Sequence, residues 1–297
     1  MTRRIEIHGH RGARWNWPEN TLEGFRRTAA LGVDAVEADV TLSADGIVII
    51  SHDPALNPDL TRDANGAFLT QAGPAIHTLP AAALAAYDVG RLRPGSAYAA
   101  QFPEQAPIDG ARIPTLGELF RLPPPLRFNI ETKSFPDTPG KGVDGIRLVN
   151  AVVAQADRAG VVARLIVQSF DWAGLIALRR ARPEIAVSFL TEARTIAADA
   201  LWWAGLRRSA HGGSVPRAVA AAGGTCWGPR HSELDAAAIA EAHALGVRVI
   251  PWTVNAEADM RRLIAWGVDG IISDRPDLVR AVLASLGQPV PPSSPAG

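Results

Sequence analysis

Short apolar, β-branched runs alternate along this chain with longer segments in which Ala and Leu recur at helical spacing. The runs predict strands at 5–9 (IEIHG), 35–42 (AVEADVTL), 47–52 (IVIISH), 127–132 (RFNIET), 165–170 (LIVQSF), 186–191 (AVSFLT), 225–228 (TCWG), 248–254 (RVIPWTV) and 269–274 (DGIISD). Helical patterns lie between most of them, at 21–32, 143–160, 172–181, 236–246, 256–267 and 276–287. Several end in Gly just before the next strand, a helix stop signal. Such alternation predicts a parallel sheet with helical crossovers, and about eight units predict a closed (β/α)8 TIM barrel. No glycine-rich phosphate loop follows any strand, which argues against a nucleotide-binding open sheet.

One stretch breaks the rhythm. Residues 54 to about 112 are rich in Pro, Gly, Asn, Asp and Ala, with one helical pattern, LPAAALAAYDVG (79–90). This predicts a small insertion after the second and third strands, lying over one end of the barrel. Residues 1–287 are expected to form one domain, with 288–297 a disordered tail. Residues 192–223 resist division, apart from a packed helix expected at WWAGL (202–206).

Composition narrows the function classes. Thirty basic residues balance thirty acidic ones, so nothing points to nucleic acid or an anionic membrane surface. A single cysteine, Cys226, excludes an internal disulfide and a cysteine-rich zinc site. No apolar run is long enough for a membrane span, and the N-terminal segment leaves no room for a signal peptide, so the expected location is cytoplasmic. Only Lys133 and Lys141 are lysine; the other 28 basic residues are arginine. A lysine that persists against such a bias draws attention, because arginine cannot replace a compact ammonium at a tight site.

Barrel enzymes keep their chemistry at the C-terminal ends of strands. The first strand here ends in His10 and Arg11. The second carries Glu37 and Asp39, two apart and so on one face, half of an oxygen site for a hard cation. Next come His52 and Asp53, then Glu131 and Lys133, then Trp252, and finally Ser273 and Asp274. Each piece alone has an ordinary reading: a solvated strand edge, a turn, a core tryptophan, a surface charge. Their coincidence at strand ends is the signal, since charges inside apolar strands need partners.

The ordered set HRGA (10–13), PENT (18–21), EADV (37–40), SHDP (51–54), IPTLGELF (113–120), NIETK (129–133), QSFDW (168–172), PWTVN (251–255) and GVDGIISDRPD (267–277) resembles the glycerophosphodiester phosphodiesterase family over nearly the whole chain. The resemblance implies a TIM barrel, one divalent cation (Mg²⁺ or Ca²⁺), and hydrolysis of small-molecule glycerophosphodiesters to glycerol 3-phosphate and an alcohol. It makes His10 and His52 the general acid–base pair, and Glu37, Asp39 and Glu131 the metal ligands. Arg11 and Lys133 would contact phosphate or help hold the site, Trp252 would pack near the glycerol, and Glu19 would orient Arg11 or a ligand to the metal. Asn20 or Thr21 is expected to cap the first helix, and Asp274 to anchor the last strand end.

Three rivals stand beside this. An H-x-H zinc hydrolase would use His8 with His10, but strands 165–170 and 186–191 carry no histidine or lysine for it. A related phospholipase-type phosphodiesterase would differ in its rim loops. A barrel that binds without catalysis is opposed by the presence of both histidines and all three acids. His8 is expected on the face of His10, one layer deeper.

Overall fold

Parallel strands covered on both faces read as continuous apolar runs, and the 35–42 run is buried at all eight positions. The computed structural model describes residues 4–294. Its first half runs β1 (Glu6–Gly9), α1 (Leu22–Leu31), β2 (Ala35–Leu42), β3 (Val48–Ile50), α2 (Ala81–Leu84), α3 (Leu116–Leu119), β4 (Arg127–Thr132) and α4 (Gly145–Ala159). There follow β5 (Leu165–Ser169), α5 (Trp172–Ala181), β6 (Ala186–Thr191), α6 (Ala193–Ala197), α7 (Asp199–Trp202) and α8 (Val215–Ala221). The chain closes with β7 (Cys226–Pro229), α9 (Ala236–Ala244), β8 (Arg248–Val249), α10 (Glu257–Trp266), β9 (Gly270–Ser273) and α11 (Pro276–Ser285).

Eight strands pair in parallel in the order β8-β7-β6-β5-β4-β2-β1-β9. The ring closes through backbone bonds from Asp269 to Val249, Ile272 to Pro251 and Val254 to Ile272. This is the TIM barrel that the alternation predicts. Helices start on side-chain caps, such as Thr21 for α1 and Asp144 for α4, and end on left-handed glycines, Gly32 and Gly160. The main core lies between strands and helices, where Trp172 stacks on Trp203 at 4.3 Å.

Several elements differ from expectation. The 47–52 run gives the short strand β3, antiparallel to β2 and outside the barrel, so His52 follows a flanking strand. The 248–254 strand shrinks to two residues, because Pro251 lacks an N–H for the ladder; Trp252 continues the extended path by bonding to Pro229. The helix expected at 79–90 is a single turn, α2. In the WWAGL stretch only Trp202 is helical, though Trp202 and Trp203 are both buried.

Between β3 and α3 the chain is mostly irregular and encloses its own small core of Ile49, Leu56, Ile76, Leu84 and Ile113. Of the C-terminal tail, residues 288–294 form no helix or strand, yet Val290 packs on the main core and Ser294 donates to the Ala30 carbonyl. Residues 295–297 lie outside the described residues.

The N-terminal end of the barrel is tied by Glu6. Its carboxylate meets Arg127 and Arg248 at 2.7 Å each and His8 at 3.2 Å. Burial would raise its pKa, but His8 and the two guanidinium groups outweigh this and hold it well below the usual carboxylate range. A depressed carboxyl adds stability above its unfolded pKa and loses it as pH falls toward the folded value. Glu6→Gln is therefore expected to cost about 2 kcal/mol near pH 7, with a gap to wild type that narrows on acidification below about pH 4. Urea unfolding across pH tests this; a gap that stays constant into acid would refute the assignment.

Candidate active site

Parallel register places the acids. Glu37 on β2 lies opposite Asn129 on β4, Asp39 opposite Glu131, and Glu131 opposite Gln168 on β5. Residues two apart share a face, so these side chains form successive inward layers. Glu37, Asp39 and Glu131 are all buried, with one oxygen of each within 4.8 Å of the others.

Three carboxylates this close require positive charge. Burial and the charges of Asp39 and Glu131 push the Glu37 carboxyl well above its ordinary range. For Asp39, burial acts the same way but is outweighed by Arg11 and Lys133, which hold it low. Lys133 Nζ lies 2.7 Å from Glu131 and 3.5 Å from Asp39. Asp39 Oδ1 is buried without a hydrogen-bond partner among the described residues. An all-oxygen donor set with an unused, buried oxygen fits a hard divalent cation.

Arg11 sits in a left-handed turn, with φ of 50°, 75° and 58° at Arg11, Gly12 and Ala13. Only glycine adopts such angles without strain, and a Cβ at Gly12 would meet the backbone of Phe25 at 3.2 Å. The turn lets Arg11 hold three acids at once. Its N–H donates to Glu37 at 2.9 Å, Nη1 donates to Glu19 at 2.9 Å, and Nε is 3.1 Å from Asp39. Asn20, also left-handed, donates to Asp39 at 3.0 Å, while Thr21 caps α1.

The two histidines are held alike. His10 Nδ1 is 2.6 Å from Asp274, and His52 Nδ1 is 2.8 Å from Asp53. A carboxylate only accepts, so each Nδ1 carries the proton and each Nε2 is left free for chemistry. Burial pushes the His10 pKa down to about 4 against the opposing pull of Asp274. One cavity is lined by His10, Arg11, Glu37, His52, Glu131, Lys133 and Trp252 together. Glu19 and Asp39 lie outside that lining and reach it through Arg11.

His8 lies one layer below and is fully buried between Glu6 and Asn129. Asn129 donates to Gln168, which donates to Glu37 at 3.0 Å, so His8 reaches the acids through two amides and is not adjacent to them. Sequence reasoning missed Gln168, Tyr98 and the role of Asp274. Asp274 does anchor the strand end by accepting from Asn255, but it also orients His10 and binds Arg14. Gln168 carried a usable signal as the one polar side chain within the apolar run LIVQ. Tyr98 comes from the insertion; its hydroxyl donates to Glu19 and accepts from Arg14.

The model of the glycerophosphoryl diester phosphodiesterase family matches residues 10–278. A glycerophosphodiester phosphodiesterase of Bacillus subtilis is 30% identical over 94% of this chain and 86% of its own length. One from Caldanaerobacter subterraneus is 28% identical, covering 91% and 94%. The crystal structure of a putative glycerophosphoryl diester phosphodiesterase from Silicibacter pomeroyi superposes with a TM-score of 0.86 at 36% identity, covering 97% of this chain and 95% of that one.

The Tyr98 hydroxyl joins the insertion to Glu19 and Arg14, the residues behind Arg11 and Asp274. Tyr98→Phe is expected to lower turnover about tenfold by loosening Arg11 and His10, while global stability falls by only about 1 kcal/mol. Steady-state rates and denaturant unfolding on one preparation separate the two; unchanged turnover would refute the link.

Proposed function

The chain belongs to the glycerophosphoryl diester phosphodiesterase family, and from that premise we propose that it hydrolyses glycerophosphodiesters to glycerol 3-phosphate and an alcohol, with a divalent cation (magnesium or calcium) and the pair His10 and His52. The observation that carries this reading is the convergence of two carboxylate-oriented histidines on one cavity whose wall carries Glu37 and Glu131 of the buried acidic trio.

Glu37, Asp39 and Glu131 would hold the cation. When bound, it supplies Lewis-acid stabilisation of charge on the phosphoryl oxygens. Arg11 and Lys133 add fixed positive charge at the same wall, where exclusion of water strengthens it. Their ties to Glu19, Asp39 and Glu131 keep both groups in place before substrate arrives.

His10 is held neutral by burial, with Nε2 unprotonated, which suits removal of a proton from the attacking hydroxyl or water. His52 is half-buried and lines a second cavity that His10 does not; as the imidazolium paired with Asp53 it would carry an Nε2 proton to give to the departing alkoxide. Trp252 lines the same cavity as His10 and its indole N–H is already satisfied by the Gly228 carbonyl, so its ring is left to pack against carbon. The barrel and its insertion act as a single catalytic domain in this reading. No helix among the described residues is long and apolar enough to cross a membrane.

His10→Ala and His52→Ala are each expected to lower kcat by about 10²–10⁴-fold without unfolding, whereas His8→Ala retains most activity. Equal loss for His8→Ala would favour the H-x-H zinc site. Chelation should abolish release of glycerol 3-phosphate, and Mg²⁺ or Ca²⁺ should restore it. Absence of product with every divalent cation would overturn the proposal.

A further inference from the structure

A second cavity of about 310 Å³ adjoins the site and shares His52, Glu131, Lys133, Phe170 and Trp252 with it. His10 lines only the inner cavity, while His52 lines both. If His52 protonates the departing alcohol, that alcohol lies toward the outer cavity; the inference below rests on that reading.

The outer wall is built from aromatic rings, Phe135, Phe170, Trp202 and Trp252. An aromatic cage of this kind could hold a quaternary ammonium through its ring faces. Two of these rings are already covered by resident cations. Lys141 Nζ lies 4.6 Å from the centre of Phe135, and the Arg194 guanidinium lies 4.5 Å from that of Trp202. Phe170 and Trp252 meet edge to face at 5.4 Å, which uses part of their surface on each other.

The charges of the wall are mostly spoken for. Asp53 pairs with His52, and Glu131 with Lys133. Glu192 meets Arg194 at 3.2 Å and Arg230 at 3.9 Å, and Arg194 also binds Asp137. Lys141 has no carboxylate within 4.0 Å among the described residues. It is thus the one cation of this wall whose charge is not matched by an adjacent acid. Lys141 and Lys133, the two lysines of an arginine-dominated chain, both line this cavity.

We infer that the outer cavity is a subsite for a second anionic group, a phosphate or carboxylate carried by the alcohol portion of the substrate, with Lys141 as its principal contact. Cationic head groups are disfavoured there, since they would meet resident cations on the rings they would otherwise use.

Three diesters test this: glycerophosphocholine, glycerophosphoglycerol and bis(glycerophospho)glycerol, whose alcohol portions are cationic, neutral and anionic. Rates are measured at low ionic strength, and calorimetric binding of the same three is measured on the His10→Ala protein. The anionic diester should show kcat/KM about tenfold above the choline diester, beyond the factor of about two from its two scissile bonds. Added salt should narrow that gap. Lys141→Glu should lower kcat/KM for the anionic diester about tenfold more than for the choline diester, and Lys141→Arg should restore most of the difference. A choline diester that is processed or bound as well as the anionic one, or a Lys141→Glu effect equal on all three, would overturn the subsite. Hydrolysis of none of the three would overturn the proposed function instead, and the order of binding would still decide the subsite.

Discussion

Three buried carboxylates at one end of the barrel set the terms for the rest of the site. Like charges this close raise one another's pKa, and burial adds to the effect. The surroundings answer with every kind of positive group available. Arg11 bends through a left-handed turn to reach three acids, Lys133 bridges two, and the amides of Asn20 and Gln168 donate to the oxygens that remain. Asp39 Oδ1 has Lys133 at 3.5 Å but no hydrogen bond among the described residues. The site is built as an unbalanced negative centre, which is the condition a cation relieves.

The two ends of the barrel make an instructive contrast. At the N-terminal end, Glu6 meets two arginines and a histidine, and its charge is fully matched. At the C-terminal end the acids outnumber their near partners. The first arrangement ties strands together; the second holds chemical potential for binding. His8 belongs to the first layer and touches the second only through Asn129 and Gln168. Closeness in sequence to His10 does not make it part of the same machinery.

Much of this was legible in the order of residues. The strands at 35–42 and 127–132 appear at the predicted bounds, because Val36, Ala38 and Val40, like Phe128 and Ile130, alternate with polar side chains at strand spacing. The two-residue spacing of Glu37 and Asp39 fixes a shared face, and the parallel register brings Glu131 beside Asp39. Other features depend on contacts that no local pattern encodes. Tyr98 reaches Glu19 across 79 positions from an irregular segment. The helical pattern at 79–90 collapsed to one turn because Leu84 and Ile76 pack into the insertion's own core, and Tyr87 and Val89 border that core beyond the last helical residue. The strand at 248–254 was cut short by Pro251, a residue visible in the sequence whose effect on the ladder outweighed the apolar run.

The pairing of β1 with β9 carries a consequence for how the molecule comes into being. His10 takes its orientation from Asp274, 264 positions along the chain. During synthesis, the histidine leaves the ribosome long before the carboxylate that orients it exists. The barrel's first strand also waits for its last, so contacts of high sequence separation are the final ones to form. A nascent or interrupted chain can hold Arg11, Glu37, Asp39 and even Glu131 in rough order and still lack an aligned His10. If His10 acts as proposed, the proton-transfer pair is complete only once the ring has closed and Asp274 stands beside it.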